Sequence, residues 1–289
     1  MTTIADLPAI RLHDPGRIAC VLRDRPPGAL PDDPAAKVLV VAADHPGRGA
    51  LAVGAQPWAM ADRRELLERC LVALARPGVH GFLGTADVVE DLALLGALDG
   101  KQVFGSMNRG GLAGAAFELD DRFTGYDADG IVAAGLDGGK MLLRLDPQDP
   151  GSLRTLESCA RAVDALAGRR RVAMVEPFVC TRVDGHLRND LSTGAVVRSV
   201  AIASGLGRTS AYTWLKVPCV PGMERVAAAT TLPLLLLGGE RPDDPAATHE
   251  RWAQALRLPS VRGLVTGRTL LYPPDGDVAG AVDRMVELL

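Results

Sequence analysis

A lysine ends the short apolar segment 212–216, in surroundings that suggest covalent chemistry. Its neighbours Trp214, Leu215 and Val217 would shield the ammonium from water, and desolvation disfavours the charged form of an amine. A lysine that is neutral near pH 7 can attack a carbonyl and form a Schiff base. The alternative is a strand-end lysine whose stem is buried while its ammonium reaches solvent. The segment alone leaves both interpretations of Lys216 open.

Two further charged residues could complete such a site. Glu176 interrupts the apolar run 172–178, where a solvated glutamate is not expected. A carboxylate at this place could act as general acid or base for carbinolamine dehydration and C–C cleavage. Lys140 would supply a second cation, which further disfavours the charged form of Lys216. Lys140 also has an alternative interpretation, because the two glycines before it could place it at an exposed strand start.

Asp44 and His45 directly follow the apolar run 37–43. Polar residues that follow barrel strands meet at the end of the barrel where substrates bind. We therefore expect Asp44 to bind a substrate hydroxyl or to exchange protons, and His45 to contact the substrate. His45 could equally be structural, as histidines beside prolines often are. The five histidines show no H-x-x-x-H spacing, so neither a metal nor a cofactor is predicted.

Two glycine-containing loops form a candidate phosphate site. Gly238 and Gly239 follow the seventh predicted strand, and Gly267 and Arg268 follow the eighth. Barrel enzymes frequently bind phosphate at these two loops through backbone N–H groups. Glycine lets the backbone approach the anion closely, and an arginine can add a bidentate contact. The alternative is a pair of tight turns with a surface arginine.

Arg109 and Arg144 are candidates for a second anionic group. Arg109 follows the third predicted strand and Arg144 lies on the fourth, so both belong near the same end of a barrel. A guanidinium matches a carboxylate through two parallel hydrogen bonds. If the substrate is a sugar acid, we expect these arginines to bind its carboxylate.

The elements that position these residues form eight strand–helix units. The predicted strands are continuous apolar runs, as in parallel sheets covered on both faces. They span residues 37–43, 79–83, 102–106, 140–145, 171–178, 212–216, 233–237 and 261–265. Eight units predict a (β/α)8 TIM barrel, and an open doubly wound sheet is the alternative. We predict one barrel domain, 37–289, and an N-terminal extension, 1–36, that packs on it with one helix over 11–24.

Composition excludes several function classes. The chain has 289 residues, a net charge of −3 and 4% aromatic residues, which is unlike a nucleic-acid binder. The five cysteines are far apart and form no C-x-x-C pair, so we expect free thiols in a reducing cytoplasm. No signal peptide is evident, and the longest apolar run, 232–237, is too short to span a membrane.

The order and spacing of these motifs, over about residues 37–272, resemble the class I aldolases of the DeoC/LacD/FbaB superfamily. The matching positions are Asp44, Gly-Gly-Lys140, Val-Glu176-Pro, Lys216, Gly238-Gly239 and Gly267-Arg268. The resemblance implies a (β/α)8 barrel without a metal, in which Lys216 forms the Schiff base. It further implies a general acid/base (Glu176), a helper at the carbonyl (Lys140), a substrate or proton contact (Asp44) and phosphate ligands (Gly239, Gly267, Arg268).

One position departs from part of this superfamily. The archaeal-type enzymes carry a tyrosine acid after the fifth strand, where this chain has Pro177-Phe178, which favours the glutamate-bearing, tagatose-type arrangement. The chain also resembles an actinobacterial branch associated with inositol breakdown. That resemblance implies cleavage of 2-deoxy-5-keto-gluconate 6-phosphate to dihydroxyacetone phosphate and malonate semialdehyde, by a homo-oligomer. A barrel that binds a phosphorylated metabolite as an isomerase or sensor, without lyase chemistry, remains the alternative.

Overall fold

The eight predicted apolar runs form parallel strands that close into a barrel, which confirms the predicted (β/α)8 fold. The computed structural model describes residues 2–239 and 245–289. Its strands are β1 Val38–Ala42, β2 Gly81–Gly84, β3 Gln102–Ser106, β4 Gly138–Leu145, β5 Val172–Val183, β6 His186–Asn189, β7 Thr213–Pro218, β8 Leu234–Leu237 and β9 Val261–Thr266. Around the ring the order is β1-β2-β3-β4-β5-β7-β8-β9, and β9 pairs with β1.

Helices cover the outside of this barrel and connect successive strands. They are α1 Leu7–His13, α2 Gly16–Asp24, α3 Arg63–Leu74, α4 Ala86–Leu94, α5 Ala128–Ala133, α6 Gly151–Gly168, α7 Thr193–Ser204, α8 Met223–Ala228, α9 Pro245–Leu256, α10 Arg268–Leu271 and α11 Val278–Val286. Side chains cap several of them. Asp62 accepts a hydrogen bond from Glu65 at the start of α3, and Ser192 accepts one from Ala195 at the start of α7. Across the described residues, no helix combines the length and apolarity needed to cross a bilayer.

Alternation along the strands decides which side chains point into the barrel. Odd-numbered residues of β4, β5 and β7, such as Met141, Val175 and Leu215, belong to the apolar layer between strands and helices. Even-numbered residues therefore face the interior, because successive side chains of a strand point to opposite faces. Met174 accordingly lies in the separate inner cluster, at the centre of the barrel. The same parity directs Lys140, Glu176 and Lys216 inward.

The structure corrects two predicted elements. The helix predicted over 11–24 is two helices, α1 and α2, because Pro15 disfavours helical backbone at Asp14, whose φ and ψ are −143° and 54°. The fifth strand was predicted to end at 178 and to be followed by a loop. Instead β5 continues to Val183 and pairs with β6 as an antiparallel hairpin. A turn at Asp184 and Gly185, both with positive φ, joins these two strands.

The N-terminal extension packs against the barrel near β2 and β3. Arg11 of α1 forms ion pairs with Glu90 and Asp91 of α4. Arg25 is buried, and among its hydrogen bonds are those to the backbone carbonyls of Leu98, Lys101 and Gly135. These contacts agree with an extension that lies on the barrel. The division at residue 36 and the homo-oligomer stay predictions.

The pairing between β9 and β1 closes the barrel and depends on a glycine. Gly263 has a φ of 151° and lies beside a bulge, where the register between β8 and β9 shifts. A Cβ added at Gly263 would collide with the carbonyl oxygen of Val38 on β1. A strand backbone cannot yield as a flexible side chain does, so this position excludes larger residues.

We expect Gly263→Ala to lower the free energy of unfolding by about 2–3 kcal/mol, because the methyl group separates the closing strands. Gly168→Ala is the matched control, since Gly168 ends α6 and an added Cβ meets no atom within 4 Å. Urea unfolding of the two variants and the parent measures the effect. Equal losses of stability in both variants would contradict this account of barrel closure.

Candidate active site

The predicted site residues line one cavity of about 910 Å³ at the C-terminal ends of the strands. The cavity wall is strongly basic. Among the described residues, eight basic side chains line it against three carboxylates. The basic residues are Arg48, Arg109, Lys140, Arg144, Arg188, Lys216, Arg251 and Arg268, and the carboxylates are Asp44, Glu118 and Glu176. Because the whole chain carries a net charge of −3, this excess is local and selects anionic ligands.

One carboxylate joins the two lysines at the centre of the cavity. Glu176 Oε1 lies 3.1 Å from Lys216 Nζ, and Glu176 Oε2 lies 2.5 Å from Lys140 Nζ. The lysine side chains are only 4% and 2% exposed. Lys216 therefore does not reach solvent, and Lys140 does not begin an exposed strand. The structure thus excludes the two alternative interpretations that the sequence left open.

Asp44 forms a second charged centre beside the first. Its Oδ2 lies 3.2 Å from Lys140 Nζ and 3.2 Å from Arg109 Nη2, and it accepts a hydrogen bond of 3.0 Å from Ser106 Oγ. Sequence reasoning missed Ser106, because a serine inside a strand carries no signal of its own. Asp44 and Glu176 together hold Lys140 between two carboxylates.

The pKa values of these acids follow from the surrounding cations. Burial opposes ionisation of Glu176, but Lys140 and Lys216 outweigh it and lower the pKa of Glu176 to about 2. Burial also opposes ionisation of Asp44, yet Lys140 and Arg109 hold its pKa well below the usual range. Burial lowers the pKa of Lys140, although both carboxylates act in the opposite direction. Near pH 7 the two acids are therefore anions.

Asn108 fixes the strand that carries Lys140. Its side-chain Nδ2 donates to the Leu142 carbonyl at 2.6 Å, and its Oδ1 accepts from the Leu142 N–H at 2.7 Å. The amide thus continues the ladder between β3 and β4 beyond the last residue of β3. Asn108 is fully buried, so no water competes for these bonds. This positioning role was not predicted.

His45 lies between Asp44 and the glycine loops. Its Nδ1 is 3.9 Å from Asp44 Oδ1 and makes no hydrogen bond to any described residue. Burial lowers the pKa of His45 to about 3, and the positive charges of Arg268 and Lys216 act in the same direction. The imidazole is therefore neutral near pH 7. It can donate or accept a hydrogen bond, but it cannot attract an anion through a positive charge.

The two glycine loops meet beside the cavity. Thr269 Oγ1 donates to the Gly238 carbonyl at 3.2 Å, and Arg268 Nη2 to the Gly239 carbonyl at 3.5 Å. Gly239 has a left-handed φ of 67°, and a Cβ on Gly267 would collide with the Ala42 carbonyl. Glycine is therefore required at both positions. All four predicted phosphate residues line the cavity.

The two arginines predicted to bind a carboxylate already have acidic partners. Arg109 is paired with Asp44, and Arg144 with the carboxylate of Glu118. Arg48 adds a further contact to the same Glu118 Oε1 at 3.4 Å. Sequence reasoning missed Arg48 and Glu118, because Arg48 ends a short 3-10 helix, His45–Arg48, and Glu118 lies in a loop, and neither segment has a recognisable periodicity. Substrate binding by Arg109 and Arg144 stays a prediction.

The described residues include neither a cluster of metal-ligand type nor a cysteine in the cavity with a lowered pKa. Within residues 2–239 and 245–289, no three His, Cys, Asp or Glu side chains approach one another as a metal site requires. All five cysteines are free, as predicted. Burial raises the pKa of Cys219, the one that lines the cavity, to about 11. A thiol in that state is a poor nucleophile at neutral pH.

Comparison with known proteins identifies the family. A model of the Cgl0159-like family matches residues 36–286. The chain belongs to the Cgl0159-like family. It is 52% identical to the crystal structure of Cgl0159 from Corynebacterium glutamicum, over 100% of this chain and 98% of that one, with a TM-score of 0.95. No curated protein sequence matches it significantly.

More distant structures share the fold of this Cgl0159-like chain. A Schiff-base-forming fructose-1,6-bisphosphate aldolase is 15% identical over 94% of this chain and 99% of that one, with a TM-score of 0.63. A fructose-bisphosphate aldolase from Slackia heliotrinireducens is 12% identical over 93% and 84% of the respective chains, also with a TM-score of 0.63. The chain therefore has the barrel fold of class I aldolases.

The neutral, half-buried His45 predicts that stability falls on acidification. Its pKa is about 3 in the folded protein and about 6.5 in an unfolded chain. Between these values the unfolded chain binds a proton that the folded chain does not, so the free energy of unfolding decreases as pH falls. The slope from this group is at most ~1.4 kcal/mol per pH unit. We expect His45→Asn to flatten the profile between pH 6.5 and 5, measured by urea unfolding.

His186→Asn is the matched control, because His186 is exposed on β6 and outside the cavity. The window above pH 5 avoids the titration of ordinary carboxylates. Equal slopes for His45→Asn and the parent protein would show that His45 takes up its proton as readily when folded as when unfolded.

Proposed function

We propose that the chain is a class I aldolase of the DeoC/LacD/FbaB superfamily and that Lys216 forms its Schiff base. The observation that carries the proposal is the Lys140–Glu176–Lys216 cluster at the floor of a basic cavity. Burying two lysines and one carboxylate costs free energy, because buried charges lose their hydration. Buried charged clusters in a cavity are therefore candidates for functional sites. The class I aldolase fold agrees with this chemistry.

We assign the nucleophile to Lys216 because it has fewer ion pairs to break than Lys140. Lys140 has two carboxylate neighbours, Glu176 and Asp44, and each of them favours its charged form. Lys216 is paired with one oxygen of Glu176 only. Transfer of a proton from Lys216 therefore breaks a single ion pair, whereas the same transfer from Lys140 breaks two.

The cluster can supply each proton transfer of Schiff-base chemistry. The neutral amine of Lys216 adds to the substrate ketone, and the carbinolamine formed loses its hydroxyl as water after protonation by Lys140. Glu176 enters as an anion, so it acts first as a base and donates only protons that it has received. In the cleavage step it accepts the β-hydroxyl proton while the C–C bonding electrons pass to the iminium nitrogen. Protonation of the enamine and hydrolysis of the resulting iminium release the second product.

The other predicted residues take up the substrate around this cluster. The phosphate group of the substrate is bound by Gly238, Gly239, Gly267 and Arg268. His45 contacts the part of the substrate next to that phosphate. Asp44 is held as an anion by Lys140 and Arg109, so it accepts a hydrogen bond from a substrate hydroxyl rather than donating a proton. Its predicted role as a proton shuttle is accordingly the weaker of the two.

The substrate is a phosphorylated ketose or keto sugar acid. One candidate is 2-deoxy-5-keto-gluconate 6-phosphate, which has a ketone next to the phosphorylated carbon and a carboxylate at the other end. A Schiff base at its ketone allows cleavage between C3 and C4, which yields dihydroxyacetone phosphate and malonate semialdehyde. The excess of basic side chains in the cavity supports a polyanionic substrate of this kind. The setting in inositol catabolism rests on the resemblance alone.

A second candidate function is a barrel that binds a phosphorylated metabolite as an isomerase or sensor. The observation that favours it is the complete pairing of Lys140 and Lys216 with carboxylates. A ligand could be held by such a charged floor without any covalent step. The two candidates differ in whether a ketone becomes attached to Lys216.

We expect sodium borohydride to trap a covalent adduct on Lys216 when the protein is incubated with a phosphorylated ketone such as dihydroxyacetone phosphate. Reduction converts the iminium to a stable secondary amine, and peptide mass spectrometry locates the modified lysine. Lys216→Met should abolish the adduct and lower turnover at least ~10³-fold, because the covalent route is lost. EDTA should leave trapping and turnover unchanged.

Lys140→Met is the matched control, because it removes the neighbouring lysine and keeps the proposed nucleophile. It should slow trapping without moving the adduct to another residue. An adduct on Lys140 in the parent protein would reverse the assignment of the two lysines. A Lys216→Met variant with full turnover, or no adduct across a panel of keto sugar phosphates, would favour the isomerase or sensor.

A further inference from the structure

Three arginines of the cavity, Arg48, Arg109 and Arg144, gather around the carboxylates of Glu118 and Asp44. Arg144 is 5% exposed and donates to the carboxylate and the backbone carbonyl of Glu118. Arg48 reaches the same carboxylate, and burial together with Arg144 and Arg109 lowers the pKa of Arg48 to about 10. A guanidinium close to another disfavours the charged form of its neighbour. Arg109 forms its ion pair with Asp44, whereas Arg48 and Arg144 share the single carboxylate of Glu118.

The barrel topology places Arg144 opposite the predicted phosphate loops. Arg144 lies on β4, and Arg268 follows β9. In the closed ring three strands separate β4 from β9 in either direction, through β3, β2 and β1 or through β5, β7 and β8. Arg144 and Arg268 therefore start from opposite sides of the cavity mouth, whereas Arg48 follows β1, the neighbour of β9, and extends from there to Glu118. Lys216 and Glu176 lie on strands between β4 and β9, so a ligand that spans the mouth passes over the reactive lysine.

Glu118 lies between two of these arginines, Arg48 and Arg144. It belongs to the loop after β3 and lines the cavity. Its Oε1 contacts both Arg48 and Arg144, while its Oε2 accepts a hydrogen bond from Gly114 N–H at 3.1 Å. Arg144 Nε is buried without a hydrogen bond to any described residue. One carboxylate thus neutralises two guanidinium groups incompletely and leaves a donor unused.

We propose that Arg48 and Arg144 form a second anion subsite, which Glu118 fills in the free protein and yields to a terminal anionic group of the substrate. This inference rests on the proposed function, because Lys216 is taken as the residue that binds the ketone. The substrate is then a chain with an anionic group at each end and the ketone between them. Arg48 and Glu118 would then decide specificity, because a substrate must displace Glu118 to bind fully. The terminal group is a carboxylate or a phosphate, since either matches two guanidinium forks.

Ligands without a carbonyl test this subsite separately from Schiff-base chemistry. The probes are pentyl phosphate, 5-phosphooxypentanoate and pentane-1,5-diol bisphosphate, measured by isothermal titration calorimetry on the whole protein. We expect at least one doubly anionic probe to bind roughly tenfold more tightly than pentyl phosphate, because the second charge adds charge-assisted hydrogen bonds. The probe with the larger gain identifies the terminal group as carboxylate or phosphate.

Two variants assign the gain to these residues. Arg48→Gln should reduce the advantage of the doubly anionic probe to about threefold or less, because one guanidinium fork is lost. Glu118→Gln should enlarge that advantage about fivefold, since the internal anion no longer competes. In both variants the affinity for pentyl phosphate should change much less than that for the doubly anionic probe, because its single phosphate is proposed to bind chiefly at the glycine loops. Arg161→Gln is the matched control for Arg48→Gln, because it removes the same positive charge from an exposed position on α6, outside this cavity.

Equal binding of single and double anions by the parent protein would overturn the second subsite. An Arg48→Gln variant that keeps the full advantage would overturn the part assigned to Arg48. If Glu118→Gln does not fold, Arg48→Gln against Arg161→Gln still decides. A protein that shows this binding pattern but traps no ketone on Lys216 would keep the subsite and lose the proposed function, so the two failures are distinguishable.

Discussion

The site depends on one carboxylate, that of Glu176, which divides its two oxygens between two buried lysines. Neither ammonium could remain inside the barrel alone, because a buried charge without a partner costs several kcal/mol. The charge of Glu176 is in turn maintained by these lysines, which lower its pKa to about 2 despite burial. The three groups therefore stabilise one another, and a change at any of them alters the protonation of the others.

The barrel supplies the geometry that this interaction requires. Strand parity directs Lys140, Glu176 and Lys216 into the interior from β4, β5 and β7, which are neighbours in the ring. Asn108 clamps the strand that carries Lys140, and Asp44 holds the far side of its ammonium. Around this floor, the excess of basic side chains attracts anions to a cavity in a protein whose net charge is negative. Charge and position thus favour the same ligand, a phosphorylated compound whose carbonyl reaches Lys216.

Much of this arrangement could be predicted from the sequence, for identifiable reasons. Buried parallel strands are continuous apolar runs, so the barrel and the position of Asp44 after β1 follow from the sequence pattern. Lys216 was predicted to end its strand, but β7 continues to Pro218. The state of Lys140 did not follow, because burial of a residue after two glycines depends on which strands flank it. Arg48, Glu118 and Ser106 gave no signal, since their importance comes from contacts between distant loops and strands. The break at Pro15 and the hairpin at β6 show the same limit for local structure, where a single proline and a two-residue turn determined the outcome.

The central claim is that Lys216, and not Lys140, bonds covalently to the substrate while Glu176 remains between them. A crystal structure of the protein with dihydroxyacetone phosphate bound would test it most directly. The account predicts continuous density from Nζ of Lys216 to the carbonyl carbon of the ligand, with the phosphate at Gly239 and Gly267. A fully occupied ligand that lies in the cavity without a bond to either lysine would contradict it, and so would density that joins the ligand to Lys140.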